Sequence, residues 1–152
     1  MPRHPERGAA LALELSAPRR ALGAGPPDAA GIWLADTLGE LGLFYRCCPI
    51  VFVGRSLLSP GGGQNPLEPA RLGCAVAVGP YTGNFDEIIN ELSEVGALAV
   101  VPDVDGLVAW VADMLDHPDR RGAMGQAGMA AAAGAEDVPE VLVAALMDLM
   151  AE

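Results

Sequence analysis

Two apolar tetrads, Ile50-Val51-Phe52-Val53 and Ala75-Val76-Ala77-Val78, flank a glycine-rich loop and a short helical stretch. No other feature constrains the fold as tightly. Each tetrad has the length and side chains of a strand buried on both faces. Pro49 precedes the first, and Gly79-Pro80 closes the second. The apolar run Gly31-Ile32-Trp33-Leu34-Ala35 reads as a further buried strand, 97–101 as another strand, and Arg20 to Leu22 as a short one. Helical patterns alternate with these runs. Strand–helix alternation implies an α/β fold, a Rossmann-like parallel sheet with helices on both faces and right-handed crossovers.

Ligands of such sheets bind at the carboxyl ends of the strands. The loop there reads Gly61-Gly62-Gly63-Gln64-Asn65-Pro66-Leu67-Glu68-Pro69. Glycines let a backbone approach a ligand closely, with no Cβ in the way. Asn65 stands where a helix N-cap belongs, Pro66 at the first helical position and Glu68 three residues after the cap. A helix starting there turns free N–H groups and its positive dipole end toward the loop, which suits a phosphate. A carboxylate one turn in suits sugar hydroxyls. The same residues also fit a plain capping box and a long turn.

Other strand-to-helix loops carry candidates of the same kind. Thr37-Leu38-Gly39-Glu40 starts a helix with a second capping box, and Gly39 permits close backbone approach. Gly54 and Ser56 follow the clearest strand, placed for a phosphate or sugar. Arg55 between them reads as a surface residue in preference to a phosphate contact. Ser56 lacks the second glycine of a nucleophile elbow and has no nearby histidine in sequence, so it is not expected to be a nucleophile. Arg3 lies in Pro2-Arg3-His4-Pro5, which looks like a loop between strand and helix with no strand before it. The chain is therefore expected to be a partial domain that lacks its first strands. The open sheet edge this leaves suits self-association.

Helices are expected over Gly8 to Leu15, from Thr37 to Cys48, and over Pro66 to Leu72 ending at Gly73. Another is capped by Asn84, with Phe85, Ile88, Ile89 and Leu92 inward. A further one runs from about Asp105 to Asp116 with Leu107, Val108, Val111, Met114 and Leu115 inward. A short one covers Asp119 to Ala133, and a last amphipathic one Val138 to Ala151. The methionines at 124, 129, 147 and 150 read as helix packing or partner contact.

Composition excludes several classes. A net charge of −11 over 152 residues disfavours nucleic acid as a partner and docking onto anionic lipid. No apolar run reaches the length of a membrane span, and no secretory leader is expected. Cys47, Cys48 and Cys74 have neither zinc-site nor disulfide-framework spacing, which fits a reduced cytoplasmic setting. Cys47 and Cys48 close an apolar helix and are expected to be buried filler. No metal site and no cofactor is expected. Neither a Walker sequence nor G-x-G-x-x-G follows a first strand, so an ATPase or dehydrogenase is disfavoured.

Taken together and in order, Pro2-Arg3-His4-Pro5-Glu6-Arg7, Asp36-Thr37-Leu38-Gly39-Glu40-Leu41, Phe52-Val53-Gly54-Arg55-Ser56-Leu57, Gly62-Gly63-Gln64-Asn65-Pro66-Leu67-Glu68-Pro69-Ala70 and Gly79-Pro80 with Asn84-Phe85 form a recognisable set. It resembles the C-terminal half of the 3-deoxy-D-manno-octulosonic acid (Kdo) transferases. The resemblance covers nearly the whole chain. It implies the donor-binding C-terminal domain of a two-domain GT-B glycosyltransferase. It also implies CMP-Kdo as donor, a lipid A precursor as acceptor, and transfer with inversion and release of CMP in lipopolysaccharide assembly. Contacts to CMP would come from Pro2 and Arg3, from Leu38, Gly39 and Glu40, and from Asn65, Pro66, Leu67 and Glu68. Gly54, Ser56, Gly62, Gly63 and Gln64 complete the expected donor site.

This chain departs from the family in places. The family usually has Gly-Gly-His-Asn where Gly63-Gln64-Asn65 stands here, Gly-Gly-Ser where Gly54-Arg55-Ser56 stands, and histidine at Tyr81. Gln64 can donate a hydrogen bond but cannot carry charge or shuttle a proton. The family's N-terminal acceptor domain, with its catalytic base and membrane-binding surface, is expected to be absent from this chain. No catalytic residue is therefore expected within it, and it is expected to bind CMP weakly without transferring sugar alone. The full enzyme is expected at the cytoplasmic face of the inner membrane. Competing readings are a non-catalytic nucleotide-binding or interaction module and a sugar-nucleotide epimerase of the same fold.

Overall fold

The structure, a computed structural model, describes residues 5–28 and 31–134. Pro2, Arg3, His4, Met147, Met150 and the expected helix over 138–151 lie outside the described residues, as does the side chain of Asn84. The chain divides into two compact units, one ending at Phe44 and the other starting at Tyr45.

In the first unit, helix α1 runs over Pro5–Leu15 and Ala17 is buried. The strands expected at Arg20 to Leu22 and at Gly31 to Ala35 are not formed. A single parallel bridge joins Arg19 to Leu34, and Arg20–Leu22 is a 3-10 turn that ends at Gly23 with φ +81°. The turn's own hydrogen bonds explain the difference. The Gly23 N–H donates to the Arg20 carbonyl at 2.9 Å and the Leu22 N–H to the Arg19 carbonyl at 3.2 Å, so the groups that would continue the ladder are spent within the turn, and the Ala21 N–H donates to Asp36 Oδ1 at 2.9 Å. Trp33 Nε1 donates to the Ala24 carbonyl at 3.1 Å, and its ring meets Phe44 edge to face at 5.6 Å. Helix α2 follows over Leu41–Cys47.

The second unit holds the sheet. Strands β1 (Ile50–Phe52), β2 (Ala75–Val78) and β3 (Leu98–Val100) lie parallel in the order β1-β2-β3. Val51 pairs with Val76, and Ala77 with Ala99. Strand β2 is central and buried at every residue, which explains its unbroken apolar sequence. Its side chains join Ile89, Leu92 and Leu98 in the core.

The helices of this unit are α3 (Leu67–Arg71), α4 (Asp86–Glu94), α5 (Val104–Asp116) and α6 (Pro118–Gly134). A 3-10 turn over Gly83–Phe85 leads into α4. Asp103 caps α5 by accepting from the Gly106 N–H at 2.8 Å. On α5, Met114 is buried and Leu107 and Val111 are half-buried, whereas Val108 is 62% and Leu115 61% exposed. Positions 107, 111 and 114 share one helical stripe. Positions 108 and 115 share the next, which is why the expected inward set splits.

The expected short helix at Asp119 is the longest here, at 17 residues, and it packs on α3 and β2. Small residues allow that packing. Gly125 faces the Gly73 carbonyl, and Gly128 faces Ala70. Gly73 itself sits at φ +78° and ends α3, as expected. Cys47 and Cys48 are exposed, not buried as expected: Cys47 is the last residue of α2 and Cys48 lies just past it. Cys74 fills the interior, its thiol directed at the Tyr45 and Cys48 carbonyls, and burial pushes its pKa up. No helix among the described residues is long and apolar enough to cross a membrane.

A Cβ at Gly125 would lie 2.2 Å from the Gly73 oxygen, whereas one at Gly122 meets nothing. Gly125→Ala is therefore expected to lose about 1–3 kcal/mol of stability through overpacking. Gly122→Ala on the same helix is expected to gain up to about 1 kcal/mol from helix propensity. Urea midpoints at unchanged slope would read both effects.

Candidate functional site

The loops that leave β1 and β2 are clasped together. Val53, just past β1, is buried, and Ser56 three residues on has 0% exposure. The Ser56 hydroxyl donates to the Val53 carbonyl at 2.6 Å and accepts from the Gly79 N–H at 2.8 Å. The Tyr81 N–H then donates to the Ser56 carbonyl at 2.8 Å. Gly79 has to be glycine at this crossing, since a Cβ there would stand 2.3 Å from the Ser56 oxygen. Ser56 was expected to face a phosphate or sugar; here its hydroxyl is consumed inside the clasp.

The glycine loop is the third member. The Gly62 N–H donates to the Tyr81 carbonyl at 3.0 Å and the Gly63 N–H to the Arg55 carbonyl at 2.9 Å. Gly61, Gly62 and Gly63 all have positive φ, at +54°, +106° and +64°. Gly61 and Gly63 press against the Tyr81 and Thr82 backbone, with a Cβ at Gly61 falling 2.3 Å from the Tyr81 Cβ. The freedom expected to admit a ligand is thus spent at those two positions on a neighbouring loop. Gly62 keeps an open side, with the Arg55 Nη2 as its nearest neighbour at 3.8 Å.

Asn65 was expected at the N-cap of α3, but Pro66 takes that place and the helix starts at Leu67; Asn65 stands one residue earlier, where its Oδ1 accepts from the Leu67 N–H at 2.9 Å. That bond also fixes the amide orientation and leaves Nδ2 as the outward donor. Asn65 and Glu68 are exposed and Pro66 is buried beneath them. Gln64 donates from Nε2 to the Gly63 carbonyl at 2.7 Å. Burial raises the Tyr45 phenol above its usual range, and the Glu68 charge adds to that. Beside the clasp, Gly79, Pro80, Thr82, Asp86 and Asn90 line an open groove past the ends of β2 and β3. Thr82 donates its hydroxyl to Asp86.

In the first unit, Leu38 is 81% exposed and Gly39 has φ +82°. The Glu40 carbonyl accepts from the Leu43 and Phe44 N–H groups and so starts α2. The expected capping box is reversed: Thr37 donates its hydroxyl to the Glu40 carboxylate instead of accepting from the helix. Arg20 holds the same carboxylate through two bonds, of 2.9 and 3.3 Å. Arg20 first, and Thr37 after it, keep Glu40 below the usual carboxylate range. Asp36 is likewise held low, mainly by the Ala21 N–H, with Arg19 adding at 2.6 Å against the opposing effect of burial.

The Ser56 and Gly79 latch and the left-handed Arg55 were not legible in the sequence. Both depend on which loops meet in space. No group of histidine, cysteine or carboxylate side chains among the described residues is arranged to hold a metal ion.

No family model matches the chain. The 3-deoxy-D-manno-octulosonic acid transferase of Bordetella pertussis is 36% identical over 136 residues, 86% of this chain and 32% of its own length. That of Haemophilus influenzae is 39% identical over 134 residues, 84% of this chain and 31% of its own. The chain thus spans about a third of the length of these curated relatives. The crystal structure of the C-terminal CMP-Kdo binding domain of WaaA from Acinetobacter baumannii superposes with a TM-score of 0.79 at 32% identity, covering 86% of this chain and 70% of that one.

Ser56→Ala leaves the Gly79 N–H and the Val53 carbonyl without their buried partner. It is expected to lower stability by about 1–3 kcal/mol in denaturant unfolding. Asp36→Asn tests the first unit. A depressed carboxylate stabilises the fold above its unfolded pKa, about 3.9, and that contribution is lost as pH falls through the lower folded value. The variant is therefore expected to be less stable at neutral pH, with the gap in melting temperature closing at acid pH.

Proposed function

The chain belongs to the 3-deoxy-D-manno-octulosonic acid (Kdo) transferase family, and from that membership we propose that it forms the part of such an enzyme that binds the CMP-Kdo donor. The observation that carries this reading is its likeness, in fold and in sequence, to a solved CMP-Kdo binding domain. The donor site takes Gly54, Gly62, Gly63, Gln64, Asn65, Pro66, Leu67 and Glu68 from the second unit. Leu38, Gly39 and Glu40 of the first unit, with Pro2 and Arg3, are assigned to CMP by the family resemblance, separately from that set.

Each residue type has a role in this scheme. Asn65 Nδ2 and the N-terminal end of α3 meet the phosphate, and the exposed Glu68 carboxylate accepts from the ribose hydroxyls. Leu38 and Gly39 offer an apolar surface and an open backbone to the base. Glu40, already bonded to Arg20 and Thr37, orients that loop.

The reaction assigned to the whole enzyme moves Kdo to a hydroxyl of a lipid A precursor in lipopolysaccharide assembly, at the cytoplasmic face of the inner membrane. The bond from the sugar's anomeric carbon to the phosphate oxygen breaks, and CMP departs with the electron pair. The acceptor oxygen bonds to that carbon and gives up its proton. Negative charge therefore grows on the phosphate, and donors aimed at it bind the transition state more tightly than the bound donor. The groups assigned here hold the leaving group. The proton acceptor is not among them, so this chain alone binds donor without transferring sugar.

Calorimetric titration with CMP, with UMP as the control, tests the reading. CMP is expected to bind in preference to UMP, and Glu68→Ala to weaken it about tenfold, roughly 1.4 kcal/mol. Preference for UMP would favour an epimerase-like nucleotide site, and binding of neither would sink the donor-site reading.

A further inference from the structure

Arg55 has the backbone of a glycine and the side chain of an anion-binding residue. Its φ is +62°, in the left-handed region that residues with a Cβ seldom occupy. It sits at the carboxyl end of β1, where its own carbonyl accepts from the Gly63 N–H and so holds the glycine loop. Its guanidinium folds back over that loop. Nη2 donates to the Gly61 carbonyl at 3.3 Å and is the nearest atom, at 3.8 Å, to the open side of Gly62. The residue is exposed, and among the described residues it has no carboxylate partner, although acidic side chains outnumber basic ones in this chain by 20 to 9. A surface ion pair therefore does not account for it.

Resting on the donor-site reading above, we propose that Arg55 is a contact for an oxyanion of the donor, its guanidinium reaching across Gly62 to the group that docks on the glycine loop. One N–H is spent on Gly61, and the remaining donors form a planar fork suited to two oxygens of a phosphate or a carboxylate. The donor class offers both, a phosphate on the nucleotide and a carboxylate on the sugar. Left-handed backbone at this position aims the side chain along the loop, so the strain and the contact belong together.

The test compares the unaltered chain with Arg55→Gly and Arg55→Lys by ligand-observed NMR, which reads weak binding, using CMP, cytidine and free Kdo as probes. Arg55→Gly is expected to weaken CMP about tenfold while leaving cytidine within twofold, and Arg55→Lys to recover part of the loss. A loss for Kdo with CMP unchanged would assign the contact to the carboxylate. The unfolding midpoint of Arg55→Gly is expected to be no lower than that of the unaltered chain, since glycine suits the φ. Unchanged affinity for both CMP and Kdo, or an equal loss for cytidine, overturns the proposal. Failure of the unaltered chain to bind CMP would overturn the donor-site reading and this contact with it. Unchanged binding by Arg55→Gly would overturn the contact alone.

Discussion

The Ser56 hydroxyl holds the strand ends in place. It is buried, and it bridges a carbonyl from the end of β1 to an N–H from the end of β2. Neither backbone group has a ladder partner there, because both lie where the strands have stopped. A buried peptide group without a partner is costly, so this one side chain lets two loops leave a parallel sheet together at the same level. The glycine loop then has a surface to settle on, and its bonds to the Tyr81 and Arg55 carbonyls follow. The Asn65 bond to the Leu67 N–H and the placement of α3 depend in turn on where that loop ends.

The opposite side of α3 is governed by volume. Five residues make a helix too short to persist by its own hydrogen bonds. It is held because α6 comes within backbone contact of it, and that approach is possible only where side chains are absent or minimal, at Ala70, Gly73, Gly125 and Gly128. Glycine lowers the helix propensity of α6, and close packing along its length offsets this. The two helices therefore stand or fall together on the platform of β2.

What could be read in advance follows from what is local. Ala75 to Val78 declared itself because burial on both faces leaves no room for polar residues, whereas Ile50 to Phe52, equally apolar, was legible by its β-favouring side chains although it is only half-buried at the sheet edge. The bond from the Leu67 N–H to Asn65 was legible because it spans two residues, although the helix starts one residue later than expected. The run from Gly31 to Ala35 had strand-like side chains, but its partner segment closes into a 3-10 turn that spends the Arg20 carbonyl and the Leu22 N–H on itself. Val108 and Leu115 were misassigned because a strongly apolar helix carries more apolar stripes than its neighbours cover. In the candidate site, residue types and order were visible, whereas orientation was not. Nothing near Ser56 in sequence says that its hydroxyl meets Gly79, 23 residues away. Nor does sequence say that Arg55 would occupy a glycine's conformation.

The clasp has a thermodynamic consequence beyond stability. Loops at the mouth of a parallel sheet are usually among the more mobile parts of a fold, and a ligand that docks there must first still them. Here the three loops are already fastened to one another through backbone bonds that involve no ligand. The ordering entropy is surrendered when the chain folds, not when a small molecule arrives. Recognition at such a mouth approaches a lock with fixed wards, in which selectivity comes from shape and donor placement and little affinity is lost to rearrangement.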